Sequence, residues 1–421
     1  MTHPFGFGSE EPPAVYSGHK ARHASQAWLS FGMLLSHTSA VTRRVIFPWV
    51  ILAIHIAACT FSVAHAASQS VWIGTGNAWP SQGIYHAQLD LETGKLTRPE
   101  LAAEVSGPGF LAMHPKGTHL YAAASLNGSP SVIAYRIQEG KQGELQQVNV
   151  LPIGDGGATH LAVSADGSLL VTAQYGGGSV AVFDLKENGQ LGSRKQLIEH
   201  RGGSQVVIGR QDAPHPHWVG FSPDQRHVLV PDLGMDAVIT YGLDINGGRL
   251  SPKHRNPMVA GGGPRHMKFH PNGQWAYVLN ELSLSLTLCD YVPEDGRLLP
   301  RQTVNTVPQE SLLEERFASA SEVRVHPSGR FVYAANRGHD TITAFAIDGE
   351  SGRLSVIERE FVRGATPRNF NIDPTGRWLL AAGQHSHTLA SFEIDSITGA
   401  LHYSGHVAMA PSAICVLFAH E

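Results

Sequence analysis

His326-Pro327-Ser328-Gly329-Arg330-Phe331-Val332-Tyr333-Ala334-Ala335 reads as a tight turn followed by a strand-length apolar run. Proline at the second turn position and glycine at the fourth suit such a turn. A second run, Thr341-Ile342-Thr343-Ala344-Phe345, comes next, and Gly352-Arg353-Leu354 closes a polar hairpin. The runs are rich in Val, Ile, Phe and Tyr and are bounded by Gly, Asn and Asp, which marks them as strands, and no helical period competes.

The unit recurs along the chain at a spacing of about fifty residues, a period that signals stacked repeats. Its turn reappears as His114-Pro115-Lys116-Gly117, Ser164-Ala165-Asp166-Gly167, Ser222-Pro223-Asp224-Gln225, His270-Pro271-Asn272-Gly273 and Asp373-Pro374-Thr375-Gly376. Its hairpin leucine reappears as Leu96, Leu145, Leu191, Leu250, Leu298 and Leu401, so that seven hairpins imply seven units. Radial arrangement of four-stranded units removes exposed sheet edges. The expectation is therefore an all-β, seven-bladed β-propeller with four-stranded antiparallel blades. Ala410 to Val416 has the character of an innermost strand without a downstream partner, and Val71 to Thr75 begins the domain. The N- and C-terminal strands are thus expected to share one closing blade.

Residues 1–66 differ from the rest of the chain. Arg43-Arg44 leads into a largely apolar stretch, Val45 to Val63, and Ala64-His65-Ala66 offers a signal-peptidase site. The segment reads as an N-terminal extension with an export signal around residues 33–66, and Met33 offers an alternative start. Twin-arginine and lipoprotein readings, at Thr42-Arg43-Arg44 and Ile56 to Cys59, rank below plain secretion. Residues 67–421 form a single propeller domain in this reading, periplasmic or secreted, with no membrane association once the signal is removed.

The 421-residue chain carries a formal net charge of −4, and its exported part has no Lys/Arg run. The electrostatic footprint of a nucleic-acid binder is missing. Cys289 and Cys415, on separate units, exclude a disulfide framework and read as small apolar fillers. Most of the 24 histidines recur with the turns, as His114, His270 and His326 do, and belong to the repeat. No His-x-x-x-His on a helix and no Cys-x-x-Cys points to a metal, so neither metal nor cofactor is expected.

Function in a propeller is expected where the repeat breaks, at the mouth of the channel lined by the inner strands. Five residues before each turn stand Gly109, Thr159, His217, Arg265, Ser321 and Arg368. At the end of the following strand stand Ser125, Gln174, Asp232, Glu281, Arg337 and Gln384. His217, Asp232, Arg265, Glu281 and Arg337 fall in three consecutive units, where interchangeable small residues would serve a purely structural repeat.

The segments Arg210-Gln211-Asp212-Ala213-Pro214-His215-Pro216-His217, Gly263-Pro264-Arg265-His266, Leu279-Asn280-Glu281-Leu282, Ser319 to Arg324, Ala335 to Asp340 and Thr366 to Phe370 carry a resemblance. Together they resemble the seven-bladed-propeller lactonase family, which includes the propeller type of 6-phosphogluconolactonase and the carboxy-muconate cyclases. The resemblance covers nearly all of residues 70–421. It implies that His217, Arg265, Glu281 and Arg337 correspond to the family's lactone-chemistry cluster.

Lactone hydrolysis needs an activated water, a base, stabilisation of the tetrahedral oxyanion and a proton for the leaving alkoxide. His217 or Glu281 serves as base and the other as acid; Arg265 and Arg337 stabilise the oxyanion or fork a substrate anion. Arg368, His160, Gln174, Asp232 and Glu322 are expected to bind substrate or support the site. No Gly-x-Ser-x-Gly elbow appears, so an acyl-serine route has no candidate. The residues leave three readings open. A metal-independent lactone hydrolase acting on a small lactone or anionic sugar acid leads; a muconate-type cycloisomerase or lyase on the same site and a non-catalytic periplasmic binding propeller rank behind it. The segment Gly192 to Arg210, longer than other connections, is expected to fold over the channel mouth.

Overall fold

The computed structural model describes residues 67–419 except 139, 142 and 312–317. The export-signal reading of residues 1–66 and the start at Met33 lie outside the described residues. The repeat becomes seven four-stranded antiparallel sheets arranged as a β-propeller. Six blades are continuous in sequence, spanning residues 106–152, 158–199, 220–257, 264–305, 319–361 and 367–409. The seventh joins the ends of the domain, as β28 (Ala413–Phe418) pairs with β1 (Ser68–Thr75), which continues to β2 (Gly83–Asp90) and β3 (Glu100–Glu104). In that pairing Ile73 lies opposite Val416 and Val71 opposite Phe418.

The apolar runs are nearly continuous because both faces of a blade are covered. Side chains alternate across a strand, so Phe331, Tyr333 and Ala335 of β21 (Phe331–Arg337) enter the layer shared with the next blade. Val332 and Ala334 enter the layer shared with the blade before. The core is accordingly a set of interblade layers.

The polar parts of the repeat tie neighbouring blades together. His270 Nε2 lies 2.8 Å from the Gly329 carbonyl and His326 Nε2 2.8 Å from that of Gly376, each in the next blade's turn. These turn histidines are latches, in keeping with their place in the repeat. The hairpin leucine is gripped similarly, since the Gln302 amide donates to the Leu354 carbonyl and accepts from its N–H, at 3.1 and 2.8 Å. Gln196 does the same to Leu250.

One expectation changes. Gly192 to Glu199 is not part of a long connection; it belongs to β11 (Leu191–Glu199), the outermost strand of its blade. Ser193, Arg194 and Lys195 are exposed there, so an outer strand shows little of the apolar pattern that identifies inner ones. The connection proper runs over residues 200–219, and its Arg210 pairs with Glu281.

Candidate active site

Five innermost strands carry the site: β4 (Ser106–Met113), β8 (Ala158–Val163), β16 (Pro264–Phe269), β20 (Ser319–Val325) and β24 (Pro367–Ile372), with the segment before β12 (Gly220–Phe221). Each of the five breaks register near its start, between Ser106 and Phe110, Ala158 and His160, Pro264 and His266, Ala320 and Val323, and Pro367 and Asn369. A bulge suspends the alternation of side chains. Consecutive residues can then both face the channel, and Arg265 with His266 and Arg368 with Asn369 do so. They enclose a cavity of ≈ 140 Å³ together with Gly109, Thr159 and His217. Five of the six positions counted back from the turns therefore meet in one space. The sixth, Ser321, lies beneath it, where its carbonyl accepts a bond from Arg265 Nη1 and its hydroxyl donates to the Pro367 carbonyl.

Glu281 directly follows β17 (Trp275–Asn280) and is 5% exposed. Its Oε2 receives Arg265 Nε at 2.9 Å and Arg337 Nη2 at 3.2 Å, while Oε1 receives Arg210 Nη2 at 2.6 Å. Burial alone would raise its pKa, but Arg337, Arg265 and Arg210 outweigh it and hold the carboxyl at about 2. Arg337 also donates to the Ala320 carbonyl at 3.2 Å. Burial and the neighbouring Arg337 pull Arg265 down to about 9, which leaves it protonated at neutral pH. Arg368 makes no hydrogen bond or ion pair with any described residue; its charge faces those of Arg337 and Glu281. Three guanidiniums thus converge on the Glu281 carboxylate, with the Arg368 charge nearby.

His217 and His266 are buried with ring centres 5.2 Å apart. Burial, followed by the charge of Arg265, pushes both far below the ordinary histidine value. Both rings are neutral near pH 7. Tyr175 meets His217 edge to face at 5.3 Å and stacks on His215 at 4.4 Å, and the His215 Nδ1 lies 2.8 Å from the Tyr175 carbonyl. His215 shapes the loop, as its flanking prolines indicate.

The family model described as Lactonase, 7-bladed beta-propeller, matches residues 70–418. The chain belongs to the seven-bladed β-propeller lactonase family. It is 35% identical over 350 residues to a 6-phosphogluconolactonase of Bacillus subtilis (strain 168), covering 83% of this chain and 98% of that one. It is 29% identical to a 6-phosphogluconolactonase of Formosa agariphila, over 69% of this chain and 82% of the other. Among solved structures it is similar to the periplasmic gluconolactonase of Pseudomonas aeruginosa, with TM-score 0.77 and 28% identity over 84% of this chain and 99% of that one. As a member of this family the chain is an enzyme, a lactone hydrolase.

Not every residue expected at the site reaches this lactonase's cavity. The Gln174 amide, fully buried in its blade, lies 2.9 Å from Thr172 Oγ1. Asp232 accepts from the His215 N–H at 2.7 Å and sits 2.6 Å from His200 Nδ1, so it organises the 200–219 connection rather than the substrate. At these strand ends the side chain serves local backbone and loop groups. His160 lies one layer deeper, 3.9 Å from the Phe110 ring and 5.3 Å from Trp218, on a second cavity of ≈ 210 Å³. Glu322 is buried behind the wall on His266 and Asn369.

Two participants escape the repeat count. Arg210 comes from the irregular 200–219 connection and reaches both Glu281 and the Tyr175 hydroxyl. His266 is one residue past a counted position, and regular strand alternation would have turned it away from the channel. Both stand inside family-like segments, Arg210 to His217 and Gly263 to His266, and that placement was the available signal.

Proposed function

We propose that this lactonase hydrolyses a negatively charged sugar lactone without a metal, at the cavity between His217, Arg265 and Arg368. The observation that carries this reading is the convergence of Arg210, Arg265 and Arg337 on Glu281 with the unpaired charge of Arg368 nearby. Arg368 takes the substrate's carboxylate or phosphate, and Arg265 and Arg337 face the oxyanion that forms as water adds to the acyl carbon. Glu281, ionised and engaged on both oxygens, is the anchor that holds three of those arginines in place. That contact set favours a neutral histidine over Glu281 for proton transfer. A histidine of the cavity wall, His217 being the one the repeat count singles out, supplies it: the imidazole removes a proton from water, and the imidazolium returns it to the alkoxide when the ring C–O bond breaks.

The names of the relatives support both a phosphorylated and an unphosphorylated gluconolactone as substrates to try. The periplasmic neighbour and the apolar segment before residue 67 support export to the periplasm or beyond. No helix of the described residues is long and apolar enough to cross a membrane.

The test is turnover of a panel of sugar lactones, with and without phosphate, in ¹⁸O-water. Expected is one ¹⁸O in the product carboxylate and a loss of activity of about 100-fold or more in His217→Ala. Conversion without ¹⁸O uptake would favour the cycloisomerase reading. No conversion of any lactone would favour a binding propeller.

A further inference from the structure

His217 is not alone in the cavity wall, and the second histidine has the better support. The His266 Nδ1 lies 3.0 Å from Glu322 Oε1, and both side chains are buried. Glu322 meets only donors: the His266 ring, the Val323 N–H at 3.0 Å and the Asn369 amide, with Arg324 Nη2 at 3.7 Å. A carboxylate so surrounded accepts from Nδ1–H, which leaves the lone pair on Nε2. That Nε2 is buried and has no hydrogen-bond partner among the described residues, although the ring lines the cavity. Buried polar atoms without partners are rare, and at a reactive site they await water or substrate. The His217 Nδ1 is also unpartnered, and no carboxylate backs its ring.

We propose that His266 is a catalytic residue of the lactonase reaction, oriented by Glu322 and Asn369 as the base for the attacking water. The inference rests on the hydrolase reading and reassigns the proton within it. Water gives one proton to Nε2 as its oxygen bonds to the acyl carbon; the tetrahedral oxyanion then collapses, the ring C–O bond breaks, and Nε2–H protonates the alkoxide. Glu322, which touches neither water nor substrate, is a positioning residue that stabilises the transient imidazolium. His217 remains beside it, with ring centres 5.2 Å apart. The charges facing His266 are Glu322 and Arg324 on β20, Arg368 on β24, and Arg265 and Lys268 on its own strand, with His160 and His217 as neighbouring rings.

The experiment compares His266→Gln, Glu322→Gln and His217→Ala on the best lactone of the panel, with thermal melts of each. His266→Gln is expected to lower kcat by about 100-fold or more with KM nearly unchanged. In Glu322→Gln, loss of the carboxylate charge shifts the acidic limb of kcat/KM to lower pH and reduces the plateau. A merely structural Glu322 would lower the folded fraction and leave the limb in place. Imidazole ¹⁵N shifts of the wild-type chain, assigned through His266→Gln, are expected to show the Nδ1–H tautomer. An Nε2–H tautomer, or a folded His266→Gln within about twofold of wild type while His217→Ala is dead, overturns the dyad and leaves the hydrolase reading standing. Wild-type inactivity on every lactone would sink both.

Discussion

Glu281 holds three guanidiniums on two oxygens, so removing its charge leaves Arg210, Arg265 and Arg337 facing one another without a counter-ion. Breaking a buried pair from one side costs about 3–5 kcal/mol. Glu281→Gln is accordingly expected to lose that order of stability in urea, together with most activity. The carboxyl also links stability to pH. Its folded-state value, about 2, lies below the ordinary 4.5, so the unfolded chain binds the proton more readily. The stabilisation, of the order of 3 kcal/mol, is complete above about pH 4.5 and disappears as pH falls through about 2. His160, His217 and His266 act in the same direction from a higher pH, because burial lowers all three. Stability should begin to fall as pH drops below about 6.5, and urea midpoints between pH 4 and 8 will show it. Arg368 makes no hydrogen bond or ion pair with any described residue, and it lines the cavity. Arg368→Ala is expected to raise KM by about 10-fold or more for an anionic lactone and to leave an uncharged one nearly unaffected.

At the scale of the element, the turn and the hairpin recur because each is held by the preceding blade. A Cβ on Gly329 would lie 2.7 Å from His270 Nε2, and the backbone there has φ of 72°. Gly329→Ala therefore meets both a clash and a strained conformation. A loss of roughly 1–3 kcal/mol is expected by denaturant melting, larger than for His270→Ala, which removes one hydrogen bond worth about 1 kcal/mol. These contacts explain which parts of the sequence were legible. Turns, hairpin leucines and the inner and middle strands repeat because interblade packing is the same each time. Outer strands such as β11 face solvent, so the half of the supposed 192–210 connection that is really a strand carried no apolar signature. The inward turn of His266 depends on a bulge, and bulge positions are set by pairing with the next strand.

For the whole molecule, closure depends on the β28 to β1 pairing, the one blade made from distant parts of the chain. Ending the chain at Met409 would leave the inner edge of β1 unpaired at the channel and expose Val71, Ile73 and the apolar layer they share with Trp378 and Leu380. The expected result is loss of near-ultraviolet circular dichroism and of solubility. Repetition in the sequence was enough to determine the blade number and the closing blade, because those follow from local pattern and from covering every sheet edge. Only the tertiary structure decided which polar strand ends meet. It brought Arg210 in from an irregular connection, turned His266 inward at a bulge, and kept Gln174 and Asp232 for local hydrogen bonds. The physical reason is that convergence on a channel axis depends on register and on which backbone groups lie within reach, and neither is carried by residue spacing.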